Sequence, residues 1–447
     1  MYRGVLRVAR GLLPAVGAFN KKVRHGHEAR RNVVARIEQW AQRKRETGRP
    51  LVWFHAPSVG EGRQAESIIQ AFERRHPQWQ VAYTYFSPSA ESLAKRLQVD
   101  IADYLPYDLP SDMDRVLDAL RPDALVFTKL DLWPELATRA ARRGTSVVLA
   151  AATVRPGSGR LRWPVRRLLH PGYAVVQAGG VVSPDDGERL LRLGIPAGAI
   201  HVTGDPRMDS VDRRRGAVDP GEPLLRLGDG ATTLIAGSTW PSDERAVLSA
   251  FARIRQAHSR VRLVVVPHEP TERHLQQLDS VAARLRLPRP IRLSRLEEPG
   301  EIIVVDRVGV LAALYGAGDM AYVGGGFGRA GLHSVLEPAA WSVPVVFGPR
   351  WRESRDAHLL IDAGGARNIS AADSKQASGQ LAEIWGNWLT DTETRREEGR
   401  CARAVIDRGR GASDRTVDLI EAAVGRTGNG SMAESTSPVQ RGTTTPS

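Results

Sequence analysis

The sequence is almost free of cysteine and has no long apolar run. Its 447 residues include one cysteine, Cys401, which excludes a disulfide scaffold and any zinc or iron–sulfur site built from several cysteines. No stretch of about 18 consecutive apolar residues occurs, so no membrane-spanning helix is predicted. Neither a G-x-S-x-G motif nor a Walker loop is present, so the sequence has neither the nucleophile motif of α/β-hydrolases nor the phosphate loop of P-loop proteins.

The composition is that of a folded protein with more than one domain. Apolar residues make up 42% of the chain, enough for a dry core, so disorder is excluded as the main state. At roughly 100 to 200 residues per domain, the length predicts two or three domains.

The positive charge is concentrated at the N-terminus. The formal net charge is +13, and the first fifty residues hold thirteen Lys and Arg against three acids. The rest of the chain, with 50 bases and 47 acids, is nearly neutral. Residues 1–49 therefore form a basic leader on a near-neutral body.

The start of the leader mixes apolar and basic side chains. Its apolar residues from Val5 to Phe19 are interrupted by Arg7 and Arg10 and broken by Pro14. Such a segment is too short to span a bilayer, but it can lie in the interface with its arginines on anionic headgroups. A helix packed on the body with a solvated basic face fits as well. No small-residue cleavage site favours a signal peptide, and no recognition motif favours a nucleic-acid arm.

Short apolar runs alternate with helical patterns from residue 50 onward. The predicted strands form two series, 51–55, 81–86, 124–128 and 146–151, then 233–236, 262–266, 302–305, 320–323 and 344–347. Predicted helices between them include 64–75, 185–193, 242–258 and 271–285. Apolar strands that alternate with helices are typical of parallel sheets covered on both faces.

A charged stretch rich in glycine and proline separates the two series. Residues 205–231 have the composition of a linker, which predicts one α/β domain over 50–212 and another over 213–426. The pattern is helical from about 376 to 424. The small polar residues of 427–447 predict a disordered tail.

The strongest chemical signal is the segment from Met320 to Pro338, MAYVGGGFGRAGLHSVLEP. A strand runs into glycines, and a helix is predicted to begin near His333 or Ser334. Glycine lets backbone N–H groups approach an anion closely, and a helix N-terminus adds partial positive charge. Glu337, one turn into the helix, can accept hydrogen bonds from ribose hydroxyls. The spacing predicts a nucleotide site.

Two other interpretations of this loop stay open. Residues 326–331 also spell G-x-G-x-x-G, but the next strand ends in Gly348-Pro349-Arg350 rather than in the acid that a dinucleotide site requires. Alternatively, the glycines serve packing alone.

A second candidate loop, WFHAPSVGEGR over residues 53–63, follows the first strand. Glu61 stands between two glycines near the carboxyl end of that strand, where open sheets place ligands. A carboxylate at a helix start is commonly a cap that complements the helix dipole. Its functional alternative is a general base that takes a proton from an acceptor hydroxyl.

The pair His268 and His274 is only superficially like a zinc site. The spacing is not H-E-x-x-H, and Pro270 lies between the two histidines. The loop after Pro267 is better suited to an anion.

Taken in order, these segments resemble the 3-deoxy-D-manno-octulosonic acid (Kdo) transferases, which transfer Kdo from CMP-Kdo to the lipid A precursor. The resemblance covers about residues 50–410. It is carried by ordered blocks: FHAPSVGE at 54–61, YLPYD at 104–108, FTKLDLWP at 127–134, VTGD at 202–205, AGSTW at 236–240, VPHEP at 266–270, DRVGVL at 306–311, the glycine loop through LEP at 336–338, and VFGP at 346–349.

The resemblance implies an α/β fold of GT-B type, with two Rossmann-like parallel-sheet domains facing a central cleft. It implies an inverting transfer with Glu61 as the catalytic base, no metal and no cofactor besides the donor substrate. The implied acceptor-binding residues are Ser58, Gly60, Lys129 and Asp131. The implied donor-binding residues are Ser238, Thr239, His268, Gly309, Gly324, Gly325, Gly326, His333, Ser334 and Glu337. The implied location is the cytoplasmic face of the bacterial inner membrane, where the leader meets anionic lipid; no nucleic-acid partner is expected.

Some positions depart from the family pattern. Ser334 replaces a common Asn after His333, Lys129 and Asp131 replace an acidic pair, and His268 replaces an Arg. Other interpretations remain, namely another nucleotide-sugar transferase of this fold, a nucleotide-sugar 2-epimerase, and a non-catalytic nucleotide-binding relative.

Overall fold

The computed structural model describes residues 2–4, 20–297, 300–328 and 331–433, without the side chains of residues 374 and 427–433. Residues 5–19 of the leader and residues 434–447 of the predicted tail therefore lie outside the described residues. The chain divides into two compact units, residues 1–210 with 410–447, and residues 211–409. The predicted boundary at 212/213 is two residues from this division.

The first unit contains a seven-stranded parallel sheet in the order β3-β2-β1-β4-β5-β6-β7. Its strands are β1 Leu51–His55, β2 Gln80–Tyr85, β3 Ile101–Tyr104, β4 Ala124–Thr128, β5 Ser146–Ala152, β6 Ala178–Val181 and β7 Ile200–Val202. Its helices are α1 Lys21–Ala29, α2 Val33–Lys44, α3 Val59–Arg75, α4 Glu91–Ala94, α5 Pro110–Leu120, α6 Pro134–Arg142, α7 Trp163–Tyr173 and α8 Pro184–Leu193, with 3-10 turns at Pro88–Ala90, Gly159–Leu161 and Ala197–Ala199.

The second unit contains another seven-stranded parallel sheet, in the order β10-β11-β9-β8-β12-β13-β14. Its strands are β8 Thr232–Thr239, β9 Val261–Pro267, β10 Ile291–Arg292, β11 Ile302–Val304, β12 Met320–Val323, β13 Val345–Phe347 and β14 Ala366–Asn368. Its helices are α10 Pro241–Ala257, α11 Glu272–Arg284, α12 Leu311–Leu314, α13 Leu336–Ala340, α14 Arg355–Asp362, α15 Ser374–Thr390 and α16 Thr392–Gly409, with 3-10 turns at Pro223–Gly228, Leu293–Arg295 and Tyr315–Ala317.

The burial of the central strands shows that helices cover both faces of each parallel sheet. Every residue of β1, β4 and β5 is buried, and so is every residue of β9 and β12. Strands buried on both faces must be covered by helices on both sides of the sheet. The predicted fold class, α/β with two Rossmann-like parallel sheets, is therefore confirmed, and the architecture is of GT-B type.

The predicted linker is partly helical. Helix α9, Pro206–Gly216, spans the division between the units. Its Asp209 accepts hydrogen bonds from the backbone N–H groups of Gly411 and Ser413, each at 2.6 Å. The carboxylate thus fixes the point where the chain returns to the first unit.

The second half of the basic leader packs on the first unit. Val33 and Ile37 of α2 lie in its core. The buried Arg30 guanidinium donates to the carbonyls of Leu105 and Phe86 and lies 3.9 Å above the Phe86 ring. The packing of this stretch leaves both interpretations of residues 5–19 as predictions, because those residues lie outside the described ones.

The C-terminal helix corrects the predicted domain limit. Helix α17, Ala412–Ala433, places Val417, Leu419, Ile420 and Ala423 in the core of the first unit. The prediction that the second domain runs to residue 426 is therefore wrong, because an apolar helix face does not reveal which of two sheets it covers. The helix also continues through residue 433, beyond the predicted start of the tail at 427.

No helix in the described ranges is both long enough and apolar enough to cross a membrane.

Candidate functional site

Each sheet has a point where the order of its strands reverses. In the first unit this point lies between β1 and β4, and in the second it lies between β8 and β12. Ligands of open parallel sheets bind outside the carboxyl ends of the strands at such points. The Glu61 loop and Lys129 follow β1 and β4, and the Ser238 and Gly324 segments lie at the ends of β8 and β12. Two separate candidate sites result, one in each unit.

Glu61 lies in the first turn of α3 and is held by two neighbours. Lys129 Nζ donates to Glu61 Oε1 at 2.7 Å, and the Ser58 hydroxyl donates to Glu61 Oε2. The Glu61 side chain is 18% exposed and that of Lys129 is 38% exposed. Gly60 lies exposed in the same turn. The structure thus brings the predicted residues Ser58, Glu61 and Lys129 into direct contact.

Burial and the neighbouring Lys129 cation shift the pKa of Glu61 in opposite directions. Burial raises the pKa, but the hydrogen bond and charge of Lys129, with the Ser58 hydroxyl, outweigh burial and hold the pKa of Glu61 below its usual value. Glu61 is consequently ionised at neutral pH and able to accept a proton. The same pairing makes it a weaker base than an isolated carboxylate.

Lys129 is fixed in an uncommon backbone conformation. Its φ is 59°, in the left-handed region that residues other than glycine rarely adopt. Its N–H donates to Ala150 O at 2.8 Å, which anchors the loop to β5. A strained position of this kind, at a cost of roughly 1–3 kcal/mol, is a common feature of functional sites.

Asp131 bonds to a different set of side chains. It lies 3.3 Å from Nε2 of the fully buried His55 and accepts from Trp133 Nε1 at 3.2 Å, with Arg160 at 3.6 Å. His55 Nδ1 lies 3.0 Å from the Thr84 hydroxyl. Burial raises the pKa of Asp131, but His55, Arg160 and Trp133 together lower it below its usual value. The role predicted for Asp131 in acceptor binding stays a prediction, and the network positions the loop that carries Lys129.

The glycines of the second unit allow close backbone packing. A Cβ at Gly324 would lie 2.3 Å from Ser238 O, and one at Gly326 would lie 2.7 Å from Gly348 Cα. Gly325 has a φ of +95°. The N–H groups of Gly324 and Gly325 donate to Gly237 O and to Asp243 Oδ2. These two amides are thus engaged inside the unit, so packing accounts for both glycines.

Three aromatic rings line up beside the glycine loop. The rings of His268 and His333 are stacked with centroids 4.4 Å apart, and Trp240 lies 4.9 Å from His268. Trp240 Nε1 donates to His333 Nε2 at 3.1 Å. Burial and the neighbouring His268 lower the pKa of His333 to about 4. His333 is therefore neutral near pH 7 with its proton on Nδ1, because Nε2 accepts from Trp240.

Glu337 has a cationic partner that sequence reasoning missed. Its Oε1 accepts from Arg214 Nη1 of α9 at 2.8 Å. The predicted helix start near residue 333 is corrected, because α13 begins at Leu336 and is only five residues long. Glu337 is consequently the second residue of this helix rather than a full turn inside it.

The remaining predicted donor residues differ in exposure. Thr239 is fully buried and its hydroxyl donates to Glu244, while Ser334 is exposed. Ser238 and Gly309 have positive φ values of 53° and 91°. Within the described residues, no group of three or more His, Cys, Asp or Glu side chains could hold a metal ion.

Comparison with known proteins finds similarity to one family of transferases. Residues 31–210 match the family model described as 3-deoxy-D-manno-octulosonic-acid transferase (kdotransferase). The Bordetella pertussis 3-deoxy-D-manno-octulosonic acid transferase is 29% identical, covering 94% of this chain and 99% of the relative. The Haemophilus influenzae enzyme of the same name is 26% identical, covering 83% and 86%. Over most of its length the chain is thus similar to Kdo transferases.

Solved structures of related architecture support the fold. The UDP-GlcNAc 2-epimerase from Neisseria meningitidis, bound to UDP-GlcNAc, superposes with a TM-score of 0.60 at 12% identity, covering 84% of this chain and all of that one. Another UDP-N-acetylglucosamine 2-epimerase gives a TM-score of 0.58 at 12% identity, covering 88% and 99%. At this identity the similarity concerns the fold alone.

Proposed function

We propose that this protein is a glycosyltransferase of lipopolysaccharide biosynthesis that transfers Kdo from CMP-Kdo to a phosphorylated lipid A precursor. The observation that carries the proposal is Glu61, an ionised carboxylate held at the strand reversal of the first unit, in a chain similar to Kdo transferases. Transfer requires the donor bound to the second unit to reach Glu61. The proposed location is the cytoplasmic face of the bacterial inner membrane, with the basic leader on anionic lipid.

The chemical step follows from the state of Glu61. The acceptor oxygen attacks the anomeric carbon of Kdo while the bond to the CMP phosphate breaks, so the configuration inverts and CMP leaves with the bonding electrons. An alcohol is far too weak an acid to lose its proton to a carboxylate before attack. As the new bond forms, the oxygen becomes acidic and its proton passes to Glu61.

Lys129 links acceptor binding to this base. The acceptor is phosphorylated, and Lys129 is a half-exposed cation beside Glu61. A phosphate that draws Lys129 away removes the cation that depresses the pKa of Glu61. Binding of the correct acceptor thereby strengthens the base at the moment it is needed.

Different residues of the donor site are assigned to different parts of CMP, the leaving group. Because the N–H groups of Gly324 and Gly325 are engaged, we assign the CMP phosphate to the Nδ1–H of His333, the Ser334 hydroxyl and the Gly326 segment. Glu337, held by Arg214, is assigned to the ribose hydroxyls. Donors that stabilise charge on the leaving group contribute strongly to such a reaction.

Replacing Lys129 by Met should move the acid limb of the pH–kcat/KM profile, which reports the free enzyme, to higher pH. Without the cation, burial dominates and raises the pKa of Glu61, so the base becomes protonated at a pH where the wild-type base is still ionised. The KM for a phosphorylated acceptor should rise as well. Lys129→Arg, which keeps the charge, should leave the limb near its wild-type position. An acid limb identical in wild type and Lys129→Met would contradict the coupling.

Titration with CMP tests the donor half of the proposal. Wild type should bind CMP, and Glu337→Ala should weaken binding by roughly 1–3 kcal/mol, the scale for losing hydrogen bonds to a charged group. Glu272→Ala, which removes an exposed acid from the same unit, is the matched control and should bind as wild type does. Absence of heat at millimolar CMP would instead support a non-catalytic relative, and an unchanged affinity in Glu337→Ala would remove the ribose assignment.

A further inference from the structure

One helix end of the first unit exposes large apolar side chains. Trp163, the first residue of α7, is 66% exposed, and Val165 is 39% exposed. The other tryptophans of the first unit that the structure describes are buried or half-buried. Because tryptophan is costly to leave in water, its exposure on a folded surface is informative.

The same helix end is strongly cationic. Arg162, Arg166 and Arg167 are all exposed, and Arg160 is half-buried just before them. No Asp or Glu occurs anywhere in the sequence from residue 136 to residue 184. The exposed residues 162–167, which we call the α7 face, therefore combine an indole, a Val side chain and three arginines without an acid in their own segment.

The α7 face is rigidly connected to the loop that carries Lys129 and Asp131. In the other half of α7, a Cβ at Gly172 would lie 2.4 Å from Leu132 Cδ2, which shows how closely the helix packs there. The Tyr173 hydroxyl donates to Leu130 O at 3.2 Å, and Arg160 lies 3.6 Å from Asp131. Whatever binds the α7 face is thereby held close to the acceptor-side loop.

We propose that the α7 face docks on an anionic lipid bilayer, with Trp163 in the interface and Arg162, Arg166 and Arg167 on lipid phosphates. Tryptophan prefers the headgroup region, and basic residues near an anionic surface each add to the attraction. A second copy of this chain fits less well, since two such faces would bring like charges together around little apolar area. The α7 face, residues 162–167, belongs to a different part of the sequence from the basic leader, residues 1–49.

Docking at the α7 face would present the acceptor-side loop to lipid headgroups. This consequence rests on the proposed function, but the docking itself does not, because vesicle binding is measured without donor or acceptor. A failure of docking can thus be told apart from a failure of Kdo transfer.

Vesicle co-sedimentation of the full chain tests the proposal. The probes are vesicles of phosphatidylglycerol mixed with phosphatidylcholine, and of phosphatidylcholine alone. Arg166→Glu/Arg167→Glu should weaken binding to the anionic vesicles by about 30-fold or more, on the scale of about fivefold per basic residue. Trp163→Ala should weaken it by about tenfold. The matched controls are Lys95→Glu/Arg96→Glu, an equal charge change at exposed residues of the same unit, and Val202→Ala, an exposed apolar side chain on β7.

The outcomes separate the possible occupants. Loss of binding in the α7 variants but not in the controls supports the proposal, provided that their melting temperatures match the wild type. Equal losses in Lys95→Glu/Arg96→Glu would show that net charge alone acts, and would overturn it. Unchanged vesicle binding with an altered oligomeric state in ultracentrifugation would assign the face to a second copy. If neither vesicle binding nor oligomeric state changed in the α7 variants, the proposal that the α7 face docks on a bilayer would be wrong.

Discussion

Glu61→Gln should abolish most Kdo transfer, by about 10²- to 10⁴-fold in kcat, while CMP still binds with wild-type affinity. That range is typical for the loss of a positioned general base. The amide keeps the size of the carboxylate and can still accept a hydrogen bond from Lys129, so the first unit should fold normally. Since Gln cannot take the acceptor proton, the loss falls on the chemical step, and single-turnover kinetics with saturating donor and acceptor measure it.

The control for Glu61→Gln lies on the same helix. Glu66→Gln changes a half-buried carboxylate of α3 and should transfer Kdo at close to the wild-type rate. Equal rates in wild type and Glu61→Gln would remove the base assignment. A parallel loss of CMP affinity would show that the substitution perturbs more than the chemistry.

Gly324→Ala should destabilise the second unit and abolish donor binding. The added Cβ would lie 2.3 Å from Ser238 O and 2.8 Å from Thr239 Cα, and these backbone atoms cannot move without separating β8 from β12. Overpacking of this kind costs about 1–3 kcal/mol or more, which corresponds to a fall in Tm of roughly 5 °C for a unit of this size. Thermal unfolding and CMP titration measure the two effects.

A glycine with open space around it provides the comparison. Gly386 lies inside α15, and nothing would meet its Cβ within 4 Å. Gly386→Ala should stabilise the helix by about 0.5–1 kcal/mol and leave CMP binding intact. If both substitutions had the same effect on Tm, close packing of Gly324 would not be its role.

The central strands were predictable from sequence because full burial makes them largely apolar. β1, β4 and β12 have the predicted bounds. The strands that sequence analysis missed lack this signal. β3, β7 and β14 are partly exposed, β10 has two residues, and β6 reads Ala-Gly-Gly-Val. Pairing with a neighbouring strand, which a local pattern does not encode, makes these segments strands.

The sequence predicted residues of the candidate site, but it did not predict which side chains contact one another. Glu61 and Lys129 are separated by 67 intervening residues, and their hydrogen bond depends on β1 lying next to β4. The pairing of Arg214 with Glu337 likewise requires the position of α9, which the composition suggested was a linker. The sequence order of strands does not give their order in a sheet, so neither ion pair could be inferred.

The most direct test of the account is the mass of a lipid A precursor after incubation with the wild-type protein and CMP-Kdo. We predict that the lipid gains the mass of at least one Kdo residue and that CMP is released in equal amount. A lipid of unchanged mass, with CMP-Kdo intact or hydrolysed to free Kdo, would contradict the account.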